Sequence, residues 1–575
     1  MGQINWGKEE DRQRFWHSSS HAMAAAVKLL FPDAKFAIGP SIEEGFYYDF
    51  DSSRPFTPDD LQLIEKKMLE IIAEKQGFEK KEIDKKKALE LFKGQQYKIE
   101  LINELPGKTV TIYTNGSFTD LCKGPHLENS GQIKAIKLLR VAGAYWRGSE
   151  KNKMLQRIYG ISFPEEKMLQ QWVQRKEEAE KRNHMLLGKQ LDLFSMQQEA
   201  PGCVFIHPKG MIVWNELANF WRAEHAKAGY VEVNTPLILR KDLWVQSGHW
   251  DHYKENMYFT KIDDEDFAVK PMNCPGGILI FKTKRHSYRD LPIRMAEMGI
   301  VHRHEKSGVL NGLFRVRKFT QDDAHIFCTE EQMEEEIIKI IELVDHFYKT
   351  FGFPYNVELS TKPENAMGSA AIWEKAEKAL GNAMQKRKIE FKVKEGEGAF
   401  YGPKIDFHIR DALDRTWQCA TIQLDFSMPE KFDLNYIDRD DKQKRPVMLH
   451  RVIYGSMERF FGILIEHYGG AFPAWLAPVQ VSLIAIADRH KAYAEKAVKQ
   501  MQEAGLRVEL DDRAETVSAK VRDAQMQKIP YILVAGDKEE KDGTVTVRER
   551  SGKVIGPVKV EKFIEQLQQE IREKK

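Results

Sequence analysis

Cysteine is scarce in this chain, its net charge is close to zero, and no apolar run in it is long. The five cysteines among 575 residues are odd in number and far apart, which argues against a disulfide framework and predicts a reducing, cytoplasmic location. No apolar run approaches the roughly 18 residues of a membrane span, and the polar start MGQINWGKEEDRQRFW lacks a signal-peptide core, so no membrane contact is expected. The formal net charge of +2 gives no general attraction for nucleic acid, so any RNA contact must come from local patches.

The length of the chain and its changes in texture predict several domains. At about 150 residues per domain, 575 residues make three or four units. We expect a first domain over residues 1–164, a connecting helix over 165–188 that closes at Gly188, a large domain over 189–475 and a small one over 476–575. Within the first domain, Leu61 to Lys87 is predicted to be one charged helix. In the last, the runs VSLIAIA and IPYILVAG are predicted strands and Lys491–Gly505 a helix, which makes an α/β domain.

The segment MAEMGIVHRHEKSGVLNGLFRVRKFTQDDAHIFC has the pattern of an antiparallel hairpin, with two alternating runs around a loop that contains glycine. Arg303 and Glu305 lie where the first run enters the loop, and Arg315 lies on the return. Strand alternation puts four residues of the second run on one face, namely Phe319, Gln321, Asp323 and His325. Three of them are polar. Such a row faces either solvent or a functional site, and the pattern alone leaves both interpretations open.

A second segment, VMLHRVIYGSMERFFGILIEHYGG, is predicted to be a buried strand that runs into a helix at Gly455 and Ser456. Arg459 falls in the first turn of this otherwise apolar helix. Such an arginine is either a partly buried ion pair or a functional cation. Upstream, GMIVWNELANFWRAEHAKAGYVEVNTP has the pattern of a helix, a strand and a closing proline, which is a weak signal because many protein cores contain it.

Taken in chain order, the segments that begin at Gly210, Met295 and Val447 resemble the three motifs of class II aminoacyl-tRNA synthetases. The wording RVRKFTQDDAHIFC, PMNCPGG and YGSMERF is similar to the threonyl-tRNA synthetase family of bacterial type, and the resemblance covers essentially the whole chain. It implies a multidomain α/β enzyme with an α+β editing domain, a catalytic core of antiparallel sheet flanked by helices, and a C-terminal α/β anticodon-binding domain. It also implies a homodimer, because the first motif forms the dimer interface in this class. The small N-terminal ubiquitin-like module of many relatives is expected to be missing.

The resemblance implies that threonine is activated with ATP to threonyl-adenylate and then transferred to tRNA(Thr). The threonine carboxylate attacks the α-phosphate in line, so catalysis is mainly positioning and charge stabilisation. Arg303 is expected to bind the α-phosphate, Arg459 the far phosphates and Phe319 the adenine, with Mg²⁺ bridging phosphates. The implied catalytic residues are Arg303, Lys404 and Arg459. The implied ATP site consists of Arg303, Glu305, Arg315, Phe319, Gln418, Thr421 and Arg459.

Cys274, His325 and His450 are separated by 51 and 125 residues, so spacing alone does not connect them. Taken singly, each residue is more often part of a core. All three match zinc-ligand positions of the family, which implies one Zn²⁺ per chain with an open coordination position. Valine is nearly isosteric with threonine, and an apolar pocket separates such a pair only about a hundredfold; a metal that binds the hydroxyl would reject valine. The implied threonine pocket consists of Met272, Gln321, Asp323, Tyr401, Gln423 and Ser456.

Serine keeps the hydroxyl and lacks one methyl group, which discriminates by only about 1–3 kcal/mol, so a correction step is expected. His17 and His21 lie one helical turn apart if HSSSH is helical, and the loop DLCKGPH adds Cys122 and His126. From the residues alone, these four form either a zinc site or helix-surface histidines beside a structural loop. The resemblance implies instead a metal-free editing site that hydrolyses Ser-tRNA(Thr), with His17 or Lys98 activating water. The implied editing residues are His17, His21, Lys98, Asp120, Cys122 and His126.

The C-terminal stretch resembles the anticodon-binding domain of several class II enzymes, in which Arg522, Glu539 and Arg548 match positions that read anticodon bases. Two other interpretations stay open. A different class II specificity, such as prolyl or seryl, conflicts with the implied zinc ligands, and a non-catalytic RNA-binding paralogue would not need Arg303 and Arg459. The expected partners are tRNA(Thr), ATP, L-threonine and a second copy of the chain.

Overall fold

The computed structural model describes residues 4–364 and 366–575, without the side chain of His252. The chain divides into two units, Met1–Glu177 and Glu178–Lys575. Across the described ranges, no helix is long and apolar enough to cross a membrane.

The N-terminal unit is an α+β fold organised around a buried helix, α1 (Glu9–Leu30), whose first turn carries three acidic residues that favour the positive end of the helix dipole. Its other helices are α2 (Pro58–Ala73), α3 (Lys85–Leu91), α4 (Gln96–Glu104) and α5 (Glu166–Lys181), the last of which crosses the boundary between the units. Its strands are β1 (Lys35–Phe36), β2 (Ser41–Ile42), β3 (Gly45–Asp51), β4 (Phe78–Asp84), β5 (Thr109–Asn115), β6 (Phe118–Leu121), β7 (Ala135–Tyr145) and β8 (Met154–Phe163). One sheet has the order β1-β3-β8-β7 with β2 against β3, and the other has the order β4-β5-β6.

The helix predicted over Leu61 to Lys87 is wrong in its second half. α2 ends at Ala73, and β4 follows, paired antiparallel with β5 along its whole length. Most side chains of β4 are exposed. Because an exposed edge strand carries the same lysines and glutamates as a helix surface, composition alone does not separate the two.

The connecting helix predicted over residues 165–188 is two helices, α5 and α6 (His184–Gln190). Asn183 starts the second one, because its side-chain oxygen accepts hydrogen bonds from the backbone N–H groups of Met185 and Leu186. Gly188 does not end a helix but lies inside α6, where a Cβ atom would come within 2.2 Å of the Phe194 ring. The glycine therefore allows close packing.

The C-terminal unit contains a large sheet, a smaller one and several short strand pairs. Its further helices are α7 (Pro208–Lys227), α8 (Lys241–Ser247), α9 (His249–Tyr253), α10 (Cys274–Lys282), α11 (Met333–Phe351), α12 (Ala370–Lys386), α13 (Ser427–Lys431), α14 (Met457–Tyr468), α15 (Lys491–Glu503), α16 (Val517–Met526), α17 (Asp537–Asp542) and α18 (Val560–Arg572). Its strands are β9 (Phe194–Met196), β10 (Val204–Ile206), β11 (Val231–Glu232), β12 (Ile238–Arg240), β13 (Tyr258–Ile262), β14 (Glu265–Val269), β15 (His286–Ser287), β16 (Ile293–His302), β17 (Lys318–Cys328), β18 (Tyr355–Ser360), β19 (Phe391–Lys394), β20 (Lys404–Arg410), β21 (Thr416–Asp425), β22 (Tyr436–Ile437), β23 (Gln443–Lys444), β24 (Val447–Val452), β25 (Val481–Ala485), β26 (Val508–Asp511), β27 (Tyr531–Ala535), β28 (Thr544–Glu549) and β29 (Val554–Lys559).

The large sheet has eight strands in the order β11-β16-β17-β24-β21-β20-β18-β19. Only its two outermost pairs are parallel; the inner pairs are antiparallel. Residues of α7, α11 and α14 share one apolar cluster with Ala324 and Ile326 of β17. Because side chains alternate along a strand, Asp323 and His325 point away from this core. The predicted antiparallel core flanked by helices is confirmed.

The last hundred residues form an α/β fold around the sheet β26-β25-β27-β28-β29. Its first three strands are parallel, and the other pairs are antiparallel. α15 and α18 contribute to its apolar cluster. The strands and the helix predicted here from the apolar runs are confirmed.

Candidate functional site

Four adjacent strands of the large sheet carry the central site residues on one face. The hairpin predicted from the sequence is formed by β16 and β17, in antiparallel register. His325 of β17 lies opposite His450 of β24, which lies opposite Gln423 of β21. Directly opposite residues share a face of the sheet, and His325 and Asp323 are buried. The polar row of β17 therefore lines a site, and the interpretation as a solvated face is wrong.

An open cleft lies on this face of the sheet, beside the first turn of α14. The residues expected to bind ATP all line it, namely Arg303, Glu305, Arg315, Phe319, Gln418, Thr421 and Arg459. Tyr253 and Phe314, which the sequence did not single out, line it too. The cleft is therefore rich in guanidinium groups and aromatic rings, which suit phosphates and a purine base.

Arg303 is fixed from two sides. Its Nε donates to the carbonyl oxygen of Pro271 at 3.2 Å. Its guanidinium carbon lies 5.0 Å from the centre of the Phe319 ring and 5.6 Å from that of Tyr253, within the range of cation–π attraction. The cation is thus oriented while its terminal amino groups stay available to a ligand.

The other two arginines of the cleft are held by the loop between β16 and β17. Arg459 donates from Nε to the carbonyl oxygen of Phe314 at 3.2 Å and from Nη1 to that of Gln418 at 3.3 Å. Arg315 pairs with Glu305 at 3.0 Å. This loop therefore orients Arg315, and together with the Gln418 carbonyl oxygen of β21 it orients Arg459.

A buried carboxylate that the sequence analysis missed, Asp406, organises the wall of the cleft. It accepts hydrogen bonds from Gln418 Nε2 at 2.6 Å, from the Thr421 hydroxyl at 3.1 Å and from the Ser360 hydroxyl at 2.8 Å. Lys404 Nζ also pairs with it, at 2.7 Å. Lys404 is thus an ion-pair partner of Asp406 and is not among the residues that line the cleft. A signal for Asp406 existed, since it lies two residues from Lys404 and so on the same strand face.

A second, smaller cavity adjoins the cleft. Four residues line both spaces: Arg303, Gln321, Thr421 and Val452. Of the residues expected to bind threonine, five line the second cavity, namely Met272, Gln321, Asp323, Tyr401 and Gln423. Ser456 lines the larger cleft instead, where its hydroxyl accepts the backbone N–H of Arg459 and begins α14.

Cys274, His325 and His450 converge beside the second cavity, which is lined by Cys274 and His450. Their sulfur and nitrogen ligand atoms all lie within 4.8 Å of one another, and all three residues are buried. Nε2 of His325 is buried without a hydrogen-bond partner. Burial, with the charges of Asp323 and Asp425, raises the pKa of the Cys274 thiol well above its ordinary value, so a bound cation is what would make it a thiolate. One thiol and two imidazoles form a three-ligand set that fits zinc.

Asp425, a second residue that the sequence analysis missed, orients one of these histidines. Its Oδ2 lies 3.0 Å from Nε2 of His450, and its Oδ1 accepts the backbone N–H groups of Ser427 at 2.7 Å and Met428 at 3.0 Å. The residue is fully buried. Because Nε2 is engaged with this carboxylate, Nδ1 is the ring nitrogen of His450 that is left for another ligand.

Asp323 has buried polar neighbours on two sides. Nδ2 of Asn273, the residue before Cys274, donates to Asp323 Oδ2 at 3.3 Å. Burial raises the pKa of Asp323 to about 6. Glu297, directly opposite Asp323 on β16, is buried and pairs with Lys270 Nζ at 3.0 Å. The second cavity is therefore bordered on this side by buried charged residues.

The N-terminal unit contains a second cluster, formed by α1 and the loop after β6. Nε2 of His17 and Nε2 of His126 each lie 3.2 Å from Sγ of Cys122. The ligand atoms of these residues and of His21 all lie within 4.8 Å of one another. His21 is buried in the core of the unit, so the interpretation as helix-surface histidines is wrong. A zinc site and a metal-free site both remain compatible with this arrangement.

A buried polar triad adjoins that cluster. The ammonium of Lys98 pairs with Asp120 and donates to the Tyr48 hydroxyl at 3.0 Å, and Tyr48 donates to Asp120 Oδ2 at 2.7 Å. Burial lowers the pKa of His17 and raises that of Cys122 to about 12. His17 is therefore a neutral imidazole at pH 7, with a lone pair available to bind or deprotonate water.

The three residues expected to read the anticodon lie on three elements, α16, α17 and β28. Arg522 of α16 has a side chain that is 71% exposed, so it is available to a large partner. Glu539 of α17 already accepts the Gly536 backbone N–H at 3.1 Å and the Thr546 hydroxyl at 2.7 Å. Arg548 lies on β28, opposite Ile532 of β27.

Three family models match separate parts of the chain. Residues 258–468 match "tRNA synthetase class II core domain (G, H, P, S and T)", a range that contains seven of the eight strands of the large sheet and most of the residues that line the two cavities. Residues 480–570 match "Anticodon binding domain", and residues 110–159 match "Threonyl and Alanyl tRNA synthetase second additional domain". The last range contains Cys122 and His126 of the N-terminal cluster and Asp120 of the adjoining triad.

Similar proteins agree over nearly the full length. The threonine–tRNA ligase of Carboxydothermus hydrogenoformans is 58% identical over 570 residues, covering 99% of this chain and 90% of that protein. The threonine–tRNA ligase of Clostridium tetani is 56% identical over 571 residues, with 99% and 89% coverage. The crystal structure of the RNA binding domain of threonyl-tRNA synthetase from Cryptosporidium parvum has a TM-score of 0.66 at 41% identity, covering 67% of this chain and 98% of that one. A putative threonyl-tRNA synthetase from Aeropyrum pernix has a TM-score of 0.61 at 31% identity, covering 68% of this chain and 97% of that one. From its motifs, its fold and these relatives, the chain belongs to the threonine–tRNA ligase family of class II aminoacyl-tRNA synthetases.

Proposed function

We propose that the two adjoining cavities are the ATP and threonine subsites of this chain, which activates threonine with ATP, transfers it to tRNA and edits mischarged product. The observation that carries the proposal is the convergence of Cys274, His325 and His450 beside a cleft lined by arginines. Arg303 belongs to the wall that both spaces share, which is where the α-phosphate must meet the threonine carboxylate. Arg459, at the start of α14, then binds the outer phosphates together with Mg²⁺.

The chain's own residues would stabilise the charge that moves during adenylate formation. Arg303 is held by Pro271 and Phe319, so it needs little reorganisation when negative charge develops on the α-phosphate. Asp323 faces the second cavity and is an acceptor for the substrate ammonium. We assign Lys404 a supporting role, since its ammonium pairs with Asp406, which also holds Gln418 and Thr421.

Cys274, His325 and His450 are proposed to hold one Zn²⁺ per chain. When bound, the ion supplies a Lewis acid with an open position for the amino and hydroxyl groups of threonine. Nδ1 of His450 and Nε2 of His325 are the nitrogen atoms left for it. Valine offers no hydroxyl, so the pocket would leave the ion under-coordinated and reject valine.

Pyrophosphate exchange with threonine, serine and valine, with zinc measured on the same sample, tests the proposal. We expect exchange with threonine, weaker exchange with serine and almost none with valine, together with about one zinc per chain. Active protein without zinc, or exchange with valine comparable to that with threonine, would contradict the assignment of the three ligands.

The N-terminal cluster is proposed to be a metal-free hydrolytic site for Ser-tRNA(Thr). Lys98 is fully engaged with Asp120 and Tyr48, whereas neutral His17 is only partly buried and has a lone pair for water. His17 is therefore the better base, and Asp120, Cys122 and the other two histidines shape the pocket. A second zinc per chain, lost on chelation together with editing activity, would overturn the metal-free assignment.

Further assignments concern assembly and partners. We propose that Arg522, Glu539 and Arg548 contact the anticodon loop. We also propose a homodimer through β11, the short strand at one end of the large sheet, where Val231 is 57% exposed. We also propose the domain boundaries 1–164, 165–188, 189–475 and 476–575, which the changes in sequence texture predict. The five unpaired cysteines suit a cytoplasmic location. Binding of tRNA by the Arg522→Ala variant tests the anticodon contacts, and sedimentation of the purified chain tests the homodimer.

A further inference from the structure

The first residue of α6, His184, is buried against the loop that shapes the nucleotide cleft. Its ring centre lies 4.1 Å from that of Phe314, which lines the cleft. Nε2 of His184 accepts the backbone N–H of Leu313 at 3.0 Å. Its side chain is only 2% exposed, so water does not compete for these contacts.

The partners of His184 define which ring nitrogen carries the proton. Oε1 of Glu466, on α14, lies 2.6 Å from Nδ1 and 2.9 Å from the backbone nitrogen of His184. Burial alone would raise the pKa of Glu466, but hydrogen bonds from His184 and Arg415 lower it, so the carboxylate is ionised. An ionised carboxylate can only accept, so the proton is on Nδ1 and Nε2 keeps its lone pair. The N–H of Leu313 is thus a matched donor.

The turn that His184 contacts helps to orient two arginines of the cleft. Residues Asn311 to Arg315 form a tight turn, in which Phe314 N–H donates to the carbonyl oxygen of Asn311 at 2.8 Å. At its apex Gly312 has a φ of +46°, and a Cβ atom there would lie 2.1 Å from Nε2 of His184. The turn supplies Arg315 directly, and the carbonyl oxygen of Phe314 accepts from Arg459. A displaced turn would therefore misdirect both guanidinium groups.

We propose that His184 is a positioning residue for the nucleotide subsite, transmitting the fixed geometry of α14 through Glu466 and the imidazole to the turn at Leu313. This inference rests on the proposed assignment of the large cleft to ATP. His184 touches no substrate. It holds Arg315 and Arg459 in position before ATP binds. Because the loop is already ordered, less conformational entropy is lost on binding.

Two variants separate the two hydrogen bonds of the ring. An asparagine amide reaches the position of Nδ1 and not that of Nε2, so His184→Asn keeps a partner for Glu466 and loses the acceptor for Leu313. A glutamine amide reaches the position of Nε2, so His184→Gln restores that acceptor. We expect His184→Asn to raise KM for ATP about tenfold in pyrophosphate exchange, with KM for threonine unchanged. The Leu313 amide should exchange hydrogen faster, and His184→Gln should recover most of both effects.

A control and a second variant keep the test decisive. His225 is a second buried histidine of the C-terminal unit. It is bonded to the Trp221 carbonyl oxygen and lines neither cavity, so His225→Asn should leave KM for ATP within twofold of the value for the unmodified chain. If His184→Asn is too unstable to assay, Gly312→Ala pushes the turn away from the imidazole and should raise KM for ATP in the same way. An unchanged KM for ATP in either variant, or an equal rise for threonine, would overturn the positioning role. Near wild-type exchange by Arg303→Ala would instead refute the ATP assignment.

Discussion

Replacing Asp425 by asparagine is expected to weaken zinc binding without removing any metal ligand. In the native site, Asp425 Oδ2 accepts the proton of His450 Nε2, while Oδ1 accepts two backbone N–H groups. An asparagine oxygen can keep the two backbone bonds. Its NH₂ group then faces Nε2, and a donor there favours the tautomer with the proton on Nδ1, the nitrogen that we propose as the zinc ligand.

The magnitude follows from the geometry of this contact. Loss of a carboxylate that orients a metal-binding histidine costs about 10- to 100-fold in metal affinity, which corresponds to roughly 1.4–2.7 kcal/mol. We expect Asp425→Asn near the upper end, because the carboxylate is fully buried and water cannot replace it. Asp425→Ala should lose at least as much, and it also leaves the N–H groups of Ser427 and Met428 without an acceptor.

Competition with a chromophoric zinc chelator on the metal-free protein measures the affinity directly, independent of enzymatic activity. Asp433→Asn is the matched control, since that carboxylate is 79% exposed, pairs with Arg445 at 3.4 Å, accepts from Asn435 Nδ2 at 3.1 Å and is not one of the candidate metal ligands. Its zinc affinity should equal that of the unmodified chain. If Asp425→Asn binds zinc within twofold of the unmodified chain, the orienting role of the carboxylate is refuted.

Four other outcomes follow from the structure. Arg303→Ala should reduce pyrophosphate exchange by about 10²–10³-fold or more, through lost charge stabilisation at the α-phosphate; exchange at a near-normal rate would contradict its role. Chelation of zinc should abolish threonine-dependent exchange and leave ATP binding measurable by calorimetry. His17→Ala should leave threonine charging intact while Ser-tRNA(Thr) accumulates, and unchanged clearance of that product would exclude His17 as the base. Lys270→Met should destabilise the C-terminal unit by about 3–5 kcal/mol, because the buried carboxylate of Glu297 loses its ion-pair partner. Adding Glu297→Gln should recover much of the lost thermal stability.

The strand-based part of the site could be predicted because a period of two determines which side chains share a face. Alternation placed Gln321, Asp323 and His325 together, and the structure has them on one face of β17. The same argument applied to β21 would have found Asp425 two residues beyond Gln423. The convergence of Cys274 with the two histidines depended on family resemblance, since strand order is a long-range property that no local pattern contains.

Other features could not be predicted, for specific physical reasons. His184 contacts Leu313 and Glu466, which are 129 and 282 residues away, and nothing near it in the sequence marks it. The strand β4 was predicted to be helix because its exposed lysines and glutamates are equally typical of both. Gly188 was predicted to end a helix, whereas its lack of a side chain serves close packing against Phe194. In each case tertiary contacts outweigh local propensity.

The wall shared by the two cavities has a consequence for inhibition. A mixed anhydride of an amino acid and AMP joins parts of both substrates, and here it would extend past the shared wall formed by Arg303, Gln321, Thr421 and Val452. A non-hydrolysable mimic of that anhydride would fill both spaces at once. It should therefore compete with the nucleotide and with the amino acid simultaneously, whereas a fragment confined to one space should compete with only one of them.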